Sequence, residues 1–352
     1  MPVASAVTTS SSEVEFGIDT FGGVTKGADG RSLHHAEVIR NVVEEGVLAD
    51  EVGLDFIGVG EHHRRDFAVS SPEMVLAAIA ARTEHIRLGS AVTVLSSDDP
   101  VRVFERFSTL DAVSNGRAEI VVGRGSFTES FPLFGLDLGR YEELFDDRLA
   151  LFAEIVRERP VTWSGTTRAA LTSTSVYPPT EHGLTVWVGV GGSPESVVRA
   201  ARHNFGLFLA IIGGAPDRFR SYVELFERAQ DEFGVERRPV AVHSPGFVGA
   251  TDEEARDAIF DGWAEMRTRI GAERGWPPPT SGDFEREVDH GSLYVGSPET
   301  VARKIARTIT ALDVDRFDLK YDSGSSSHEA MLGSIEMYGR KVVPMVKDML
   351  AR

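Results

Sequence analysis

Short apolar runs alternate with amphipathic stretches along nearly the whole chain, and this rhythm predicts the architecture. Strand-like runs lie at Val14 to Asp19, Phe56 to Gly60, Ile86 to Val94, Ala118 to Gly123, Thr185 to Gly189, Leu207 to Ile212, Val240 to Gly249 and Arg316 to Tyr321. Between them, apolar positions recur three and four residues apart, the spacing of a helix with one buried face. This predicts helices over His35 to Val52, Ser71 to Arg82, Pro100 to Val113, Tyr141 to Glu158, Pro194 to Arg202, Asp217 to Phe233, Asp252 to Arg274 and Glu329 to Leu350. An extra helix, Pro298 to Ala311, precedes the last strand. Strands separated by crossover helices make a parallel sheet, and about eight such units match a closed (β/α)8 TIM barrel of the α/β class.

The expected organisation is one barrel domain over residues 14–352, preceded by a small polar N-terminal tail over residues 1–13. Three segments break the rhythm: Ser126 to Arg140, Pro160 to His182, and Gly275 to Gly291 with its Pro277-Pro278-Pro279 run. Connections this long are usually functional or mobile, and the first follows a strand on the face where barrels place their chemistry. The third suits either a lid or a plain surface connection.

Composition narrows the chemistry. The chain has 352 residues, no cysteine and a net charge of −17. Disulfides, thiolate metal sites and cysteine nucleophiles are therefore excluded. A strongly acidic surface lacks the clustered Lys and Arg that nucleic acid or anionic membrane requires, so neither is an expected partner. The longest apolar runs, such as Leu207 to Ile212, fall far short of a membrane span, and the start carries no secretory signal. A soluble cytoplasmic enzyme is the expectation.

Candidate chemistry gathers where strands end. Glu61-His62-His63 directly follows the second strand, so these side chains project from the C-terminal mouth of the barrel. Histidine suits proton exchange because its reference pKa is roughly 6.5. Consecutive residues on extended backbone point to opposite faces, so the three do not converge on one ion and no metal site is expected. Asp322, after the last strand, is the remaining carboxylate of interest.

Gly123-Arg124-Gly125-Ser126 ends the fourth strand and sets a permanent cation among glycines. It suits half of a phosphate clamp, or a turn in which Arg124 pairs with a neighbouring carboxylate. The other half is Gly189-Val190-Gly191-Gly192-Ser193-Pro194-Glu195-Ser196, where a strand breaks at glycines and a helix starts with Ser193 as cap and Pro194 in its first turn. The free amides of such a helix start attract anions. Gly296-Ser297-Pro298-Glu299 has nearly the same sequence, so the motif alone is also compatible with a plain helix start. Asp98 or Asp99 reads as a helix cap before Pro100, and Trp163, Trp187, Phe127 and Phe131 suit either pocket walls or core.

The order of these pieces resembles the bacterial-luciferase-like flavin monooxygenases. Glu61-His62-His63 comes first, then Arg87-Leu88-Gly89-Ser90-Ala91-Val92 with Asp99-Pro100-Val101-Arg102, then Thr109-Leu110-Asp111, Ser114-Asn115-Gly116-Arg117 and Gly123-Arg124-Gly125. Phe134-Gly135, Gly191-Gly192-Ser193 and the stretch from Ser334-Ile335-Glu336 to Val343-Pro344 extend it from about residue 14 to the C-terminus. The resemblance implies a (β/α)8 barrel and non-covalent FMN. It further implies reduced flavin supplied by a separate NAD(P)H-dependent reductase, O2 as co-substrate, a small organic substrate, and a homodimer. It places the catalytic histidine at His62 and the flavin phosphate on Arg124, Gly192, Ser193 and Ser196. Ala91-Val92 falls where bacterial luciferase has a non-proline cis peptide beneath the flavin ring, and Gly123 falls at its reactive thiol.

Long loops suit such chemistry, because an oxygen adduct of flavin survives only where water is kept away. Relatives on the same barrel use a deazaflavin without activating oxygen, so a deazaflavin-dependent dehydrogenase or reductase is the main alternative. A non-catalytic flavin-binding protein and a metal-dependent barrel hydrolase are further readings.

Overall fold

A computed structural model describes residues 13–27, 30–125, 127–322 and 326–351. The expected tail lies almost wholly outside the described residues.

Eight strands form the barrel: Glu15–Thr20, Phe56–Val59, Arg87–Ser90, Ala118–Gly123, Thr185–Val190, Gly206–Ala210, Val240–Val248 and Arg316–Lys320. Each pairs in parallel with the next. The eighth pairs with the first, Gly17 opposite Asp318 and Asp19 opposite Lys320, which closes the sheet. The expected (β/α)8 barrel is therefore present, and each expected strand falls within a few residues of an observed one.

Alternation decides what each strand presents. In the first strand Phe16 and Ile18 join the large apolar layer under the helices. Gly17 and Asp19, which alternate with them, turn to the barrel interior. There Val121, Trp187, Phe208 and Ala241 form a separate cluster against Val92. Below them Arg316, only 1% exposed, grips Glu119 through both carboxylate oxygens at 2.9 and 3.0 Å. The Arg316 guanidinium lies between the Phe56 and Trp187 rings, 4.6 and 4.7 Å from their centroids. This plugs the end of the barrel opposite the C-terminal ends of the strands.

Four local departures from the sequence reading have physical causes. The run Ile86 to Val94 is interrupted: the strand stops at Ser90, the Ala91–Val92 peptide is cis, and Thr93–Val94 resumes beside Val122 and Gly123. Pro160 to His182 contains an antiparallel pair, Val161–Trp163 with Leu171–Thr174. Gly275 to Gly291 is not irregular throughout, since Ser281–His290 is a helix. Thr280 and Asp283 close a reciprocal capping box there, and Phe284 and Val288, four apart, bury its apolar face. The proline run interrupts the apolar periodicity just before that start. The last helix is split into His328–Met337 and Val343–Leu350 by a π-turn at Tyr338–Val342, which accommodates Pro344, a residue with no N–H to donate.

Candidate active site

The C-terminal ends of the strands open into a cavity of about 460 Å³, within the roughly 300–1,000 Å³ range of small-molecule sites. His62, Ala91, Val92, Arg124, Gly192, Ser193 and Ser196 all line it, although they come from four separate strand ends.

His62 stands at one side, packed among phenylalanines. Its ring lies 4.8 Å from Phe21, 4.4 Å from Phe67 and 5.2 Å from Phe127. Its Nδ1 faces Oε1 of Glu129 at 3.5 Å. Burial alone would push the Glu129 carboxyl up, but His62 and backbone amides outweigh it and hold the carboxyl below its ordinary value. Glu61 and His63 pair with each other instead, Oε1 to Nε2 at 2.9 Å, as alternation requires of residues two apart. The second Glu61 oxygen accepts from the Val94 amide at 2.9 Å, so Glu61 ties the second strand to the interrupted third. Among the described residues no three His, Asp or Glu side chains gather into a metal-binding set.

Ala91 and Val92 supply the middle of the cavity. Val92 is clasped between two glycines: a Cβ on Gly123 would lie 2.7 Å from Val92 Cγ2, and one on Gly189 would lie 2.8 Å from Val92 Cγ1. No side chain fits at either position without moving Val92. The glycine at 123 therefore has a packing reason of its own.

The far end is polar. Ser193 caps the helix Pro194–Arg202, accepting from the Ser196 amide at 3.3 Å. Its hydroxyl donates to Glu195 at 2.8 Å. Arg124 pairs with Glu142, so the carboxylate-pairing reading of that turn is realised, and its guanidinium lies 5.3 Å from the Tyr141 ring centroid. Glu142 also accepts from Arg199 at 2.8 Å, and Arg199 donates to Ser196 Oγ at 3.3 Å. The Arg124 guanidinium, a helix N-terminus and two serine hydroxyls thus meet at one end of the cavity, with Arg199 behind Ser196, a donor set that fits a phosphate.

The second Gly-Ser-Pro-Glu is different. At that helix start Asp252 accepts from the Ser297 amide at 2.7 Å and from Thr300 Oγ1 at 3.1 Å. A carboxylate of the protein already occupies the anion position there.

Several other candidates resolve into structural roles. Asp99 caps its helix, accepting from the Val101 amide at 2.9 Å. Asp322 secures the turn after the first strand, accepting from Thr20, Phe21 and Gly23 at 2.9 to 3.2 Å. Trp187 and Phe131 are core, and Trp163 belongs to the antiparallel pair. Only Phe127 of those four aromatics reaches the site, against His62. Ser126 lies outside the described residues.

The cavity also contains residues that the sequence reading did not single out: Phe21, Tyr141, Phe208 and His243 line it, while Asp19, Glu129 and Arg199 stand behind its lining. For Asp19 and His243 a signal existed, because a charged or titratable residue inside an otherwise apolar barrel strand breaks the local pattern and so marks a candidate position. Glu129 and Arg199 had none, since each is one of many charged residues on exposed-looking segments.

Comparison with known proteins agrees with the geometry. The sequence profile of the luciferase-like monooxygenases matches residues 20–316. The 4-hydroxyprotoasukamycin monooxygenase of Streptomyces nodosus subsp. asukaensis is 28% identical, over 84% of this chain and 83% of its own length. The alkanal monooxygenase alpha chain of Photorhabdus luminescens is 24% identical, over 89% and 92%. Among solved structures, monooxygenase RslO1 from Streptomyces bottropensis superposes with TM-score 0.81 at 22% identity, covering 94% of this chain and 99% of that one. The oxygenating constituent of 3,6-diketocamphane monooxygenase from Pseudomonas putida, in complex with FMN, gives TM-score 0.77 at 20% identity, covering 94% and 98%. The coenzyme F420 dependent tetrahydromethanopterin reductase of Methanopyrus kandleri gives 0.71 at 19%, covering 94% and 99%. With a matching profile over most of its length and the same barrel, the chain belongs to the luciferase-like monooxygenase family.

Proposed function

We propose that the protein is an FMN-dependent monooxygenase that uses reduced flavin and O2 on a small organic substrate. The observation that carries this reading is the polarity of the cavity, with cations, serines and a helix start at one end, Val92 in the middle and a carboxylate-partnered histidine at the other. Arg124, Ser193 and Ser196 would hold the flavin phosphate, with Gly192 allowing close backbone approach, and Ala91 and Val92 would support the ring system. When bound, reduced FMN supplies the two electrons with which one oxygen atom enters the substrate and the other leaves as water. His62 orients the reacting partners and exchanges a proton with them, and Glu129 fixes its ring. The phenylalanines around His62 keep water out.

Reduced flavin would come from a separate NAD(P)H-dependent reductase. A homodimer is supported by a groove beside the site where Met74, Val113, Leu133 and Phe134 are each at least half exposed, more apolar surface than isolated side chains account for.

The deazaflavin reading has support in the F420-dependent structural relative, and one experiment separates the alternatives. Purified protein is titrated with FMN, riboflavin and F420 by fluorescence, then supplied with the reduced cofactor, O2 and a panel of ketones, alkenes and phenols. FMN binding well above riboflavin, with oxygenated product, is expected. Preference for F420 would replace the cofactor assignment, and peroxide release without product from any substrate would favour a flavin-binding protein that is not an oxygenase.

A further inference from the structure

The cavity holds a second imidazole. His243, in the middle of the seventh strand, lines it and is 3% exposed. Its Nδ1 lies 2.6 Å from Oδ2 of Asp19, a carboxylate of the first strand that is fully buried. A carboxylate accepts and does not donate, so the short contact fixes the neutral ring as the Nδ1–H tautomer. Nε2 is left with a lone pair, and no described residue hydrogen-bonds to it. The ring stacks on Phe21 at 6.0 Å and also meets Phe208 at 6.1 Å. Phe21 in turn touches His62, so one phenylalanine separates two imidazole–carboxylate pairs.

A purely structural pair would satisfy both ring nitrogens and both carboxylate oxygens, as buried polar groups normally do. Here Oδ1 of Asp19 also has no partner. Carboxylate, imidazole and free Nε2 in series form the arrangement that accepts a proton and stabilises the resulting cation, as in hydrolase triads.

We propose that His243, held by Asp19, is a general base that takes the proton of an acidic O–H on the organic substrate, a phenol or an enol. The substrate O–H bond breaks, an Nε2–H bond forms, and the imidazolium keeps its Nδ1–H on Asp19. The oxyanion becomes the electron-rich partner for oxygen transfer, and the proton passes to solvent when product leaves. The aromatic walls suit a flat, conjugated substrate. The inference rests on the proposed function in taking this cavity as the active site and oxygen transfer as its reaction.

The charged and titratable groups around His243 are Asp19 on the first strand, Asp318 and Lys320 on the eighth, and His62 after the second. Asp318, in register with His243, has its carboxyl pushed well up by complete burial. Lys320 is engaged by Asp322 and lies over Phe21, 4.7 Å from its centroid. Phe208 and Ala210, on the sixth strand, carry no charge.

The probe is 4-nitrophenol, whose ionised and neutral forms differ in visible absorbance, added to the full-length protein with and without FMN. Wild-type protein is expected to bind it as the phenolate at a pH where the free probe is mostly neutral. His243→Asn keeps an amide donor toward Asp19 but has nothing at the Nε2 position, so it should retain melting temperature and FMN affinity while binding the probe as neutral phenol. Nitrogen-15 NMR of labelled histidines should show one ring locked as Nδ1–H, missing in His243→Asn and released to tautomer exchange in Asp19→Asn. An unchanged probe spectrum in His243→Asn, no phenolate in wild type, or an Nε2–H tautomer for His243 would each overturn the proposal. Loss of FMN binding with the NMR signature intact would instead count against the cofactor assignment.

Discussion

Nδ1 of His62 and Oε1 of Glu129 stand 3.5 Å apart, joining the end of the second strand to the segment that follows the fourth. The same carboxylate oxygen accepts from the His63 amide at 3.4 Å. One residue of a long connection therefore sets the orientation of the candidate catalytic histidine.

Replacing Glu129 with Gln removes the charge and keeps the shape. FMN affinity should be unchanged and turnover should fall roughly ten- to a hundredfold, less than the roughly 10²–10⁴-fold of a group that itself transfers the proton. Steady-state kinetics beside a fluorescence titration of FMN makes the comparison. Equal turnover would remove Glu129 from the mechanism.

His63 provides a pH test. Its hydrogen bond to Glu61 raises its pKa above the ordinary 6.5, against an opposing effect of burial. A raised folded-state pKa stabilises the protein fully below about 6.5, and that contribution disappears as pH rises through the folded value. The melting-temperature gap between wild type and His63→Gln should thus be larger at pH 6 than at pH 9. A gap that widens toward alkaline pH would contradict the assignment.

Arg124→Ala should weaken FMN binding about ten- to a hundredfold, since a charge-assisted hydrogen bond is worth about 1.5–3 kcal/mol. Riboflavin, which has no phosphate, should bind both proteins alike. Glu142→Gln should act oppositely, because its carboxylate competes with an incoming phosphate for Arg124 and Arg199. Calorimetric titration of the three proteins distinguishes these outcomes.

Gly123→Ala would place a methyl group 2.7 Å from Val92 Cγ2. The expected cost is about 1–3 kcal/mol in stability, as for other overpacked positions, together with weaker FMN binding. Adding Val92→Ala should recover part of both losses if the clash is the cause. Independent, additive effects in urea unfolding would show that it is not.

The chain's own pattern determined the barrel. Eight apolar runs set between helical stretches match a closed parallel barrel, and their ends put Glu61-His62-His63, Arg124 and Ser193 on one rim. Those short motifs were legible because a strand end fixes which way the next residues project. Helix Ser281–His290 was not, because its start depends on a capping box behind three prolines.

What the tertiary structure decided was which equal-looking residues face the cavity. Gly-Ser-Pro-Glu occurs twice with the same local chemistry, but Asp252 fills the helix start at Ser297 while the start at Ser193 opens on the cavity. Asp19 and His243 lie 224 positions apart and meet at 2.6 Å only because the eighth strand, between the seventh and the first, closes the barrel. Local sequence sets backbone direction and side-chain chemistry. Which charges face each other across the barrel follows from closure and register, and these belong to the whole chain.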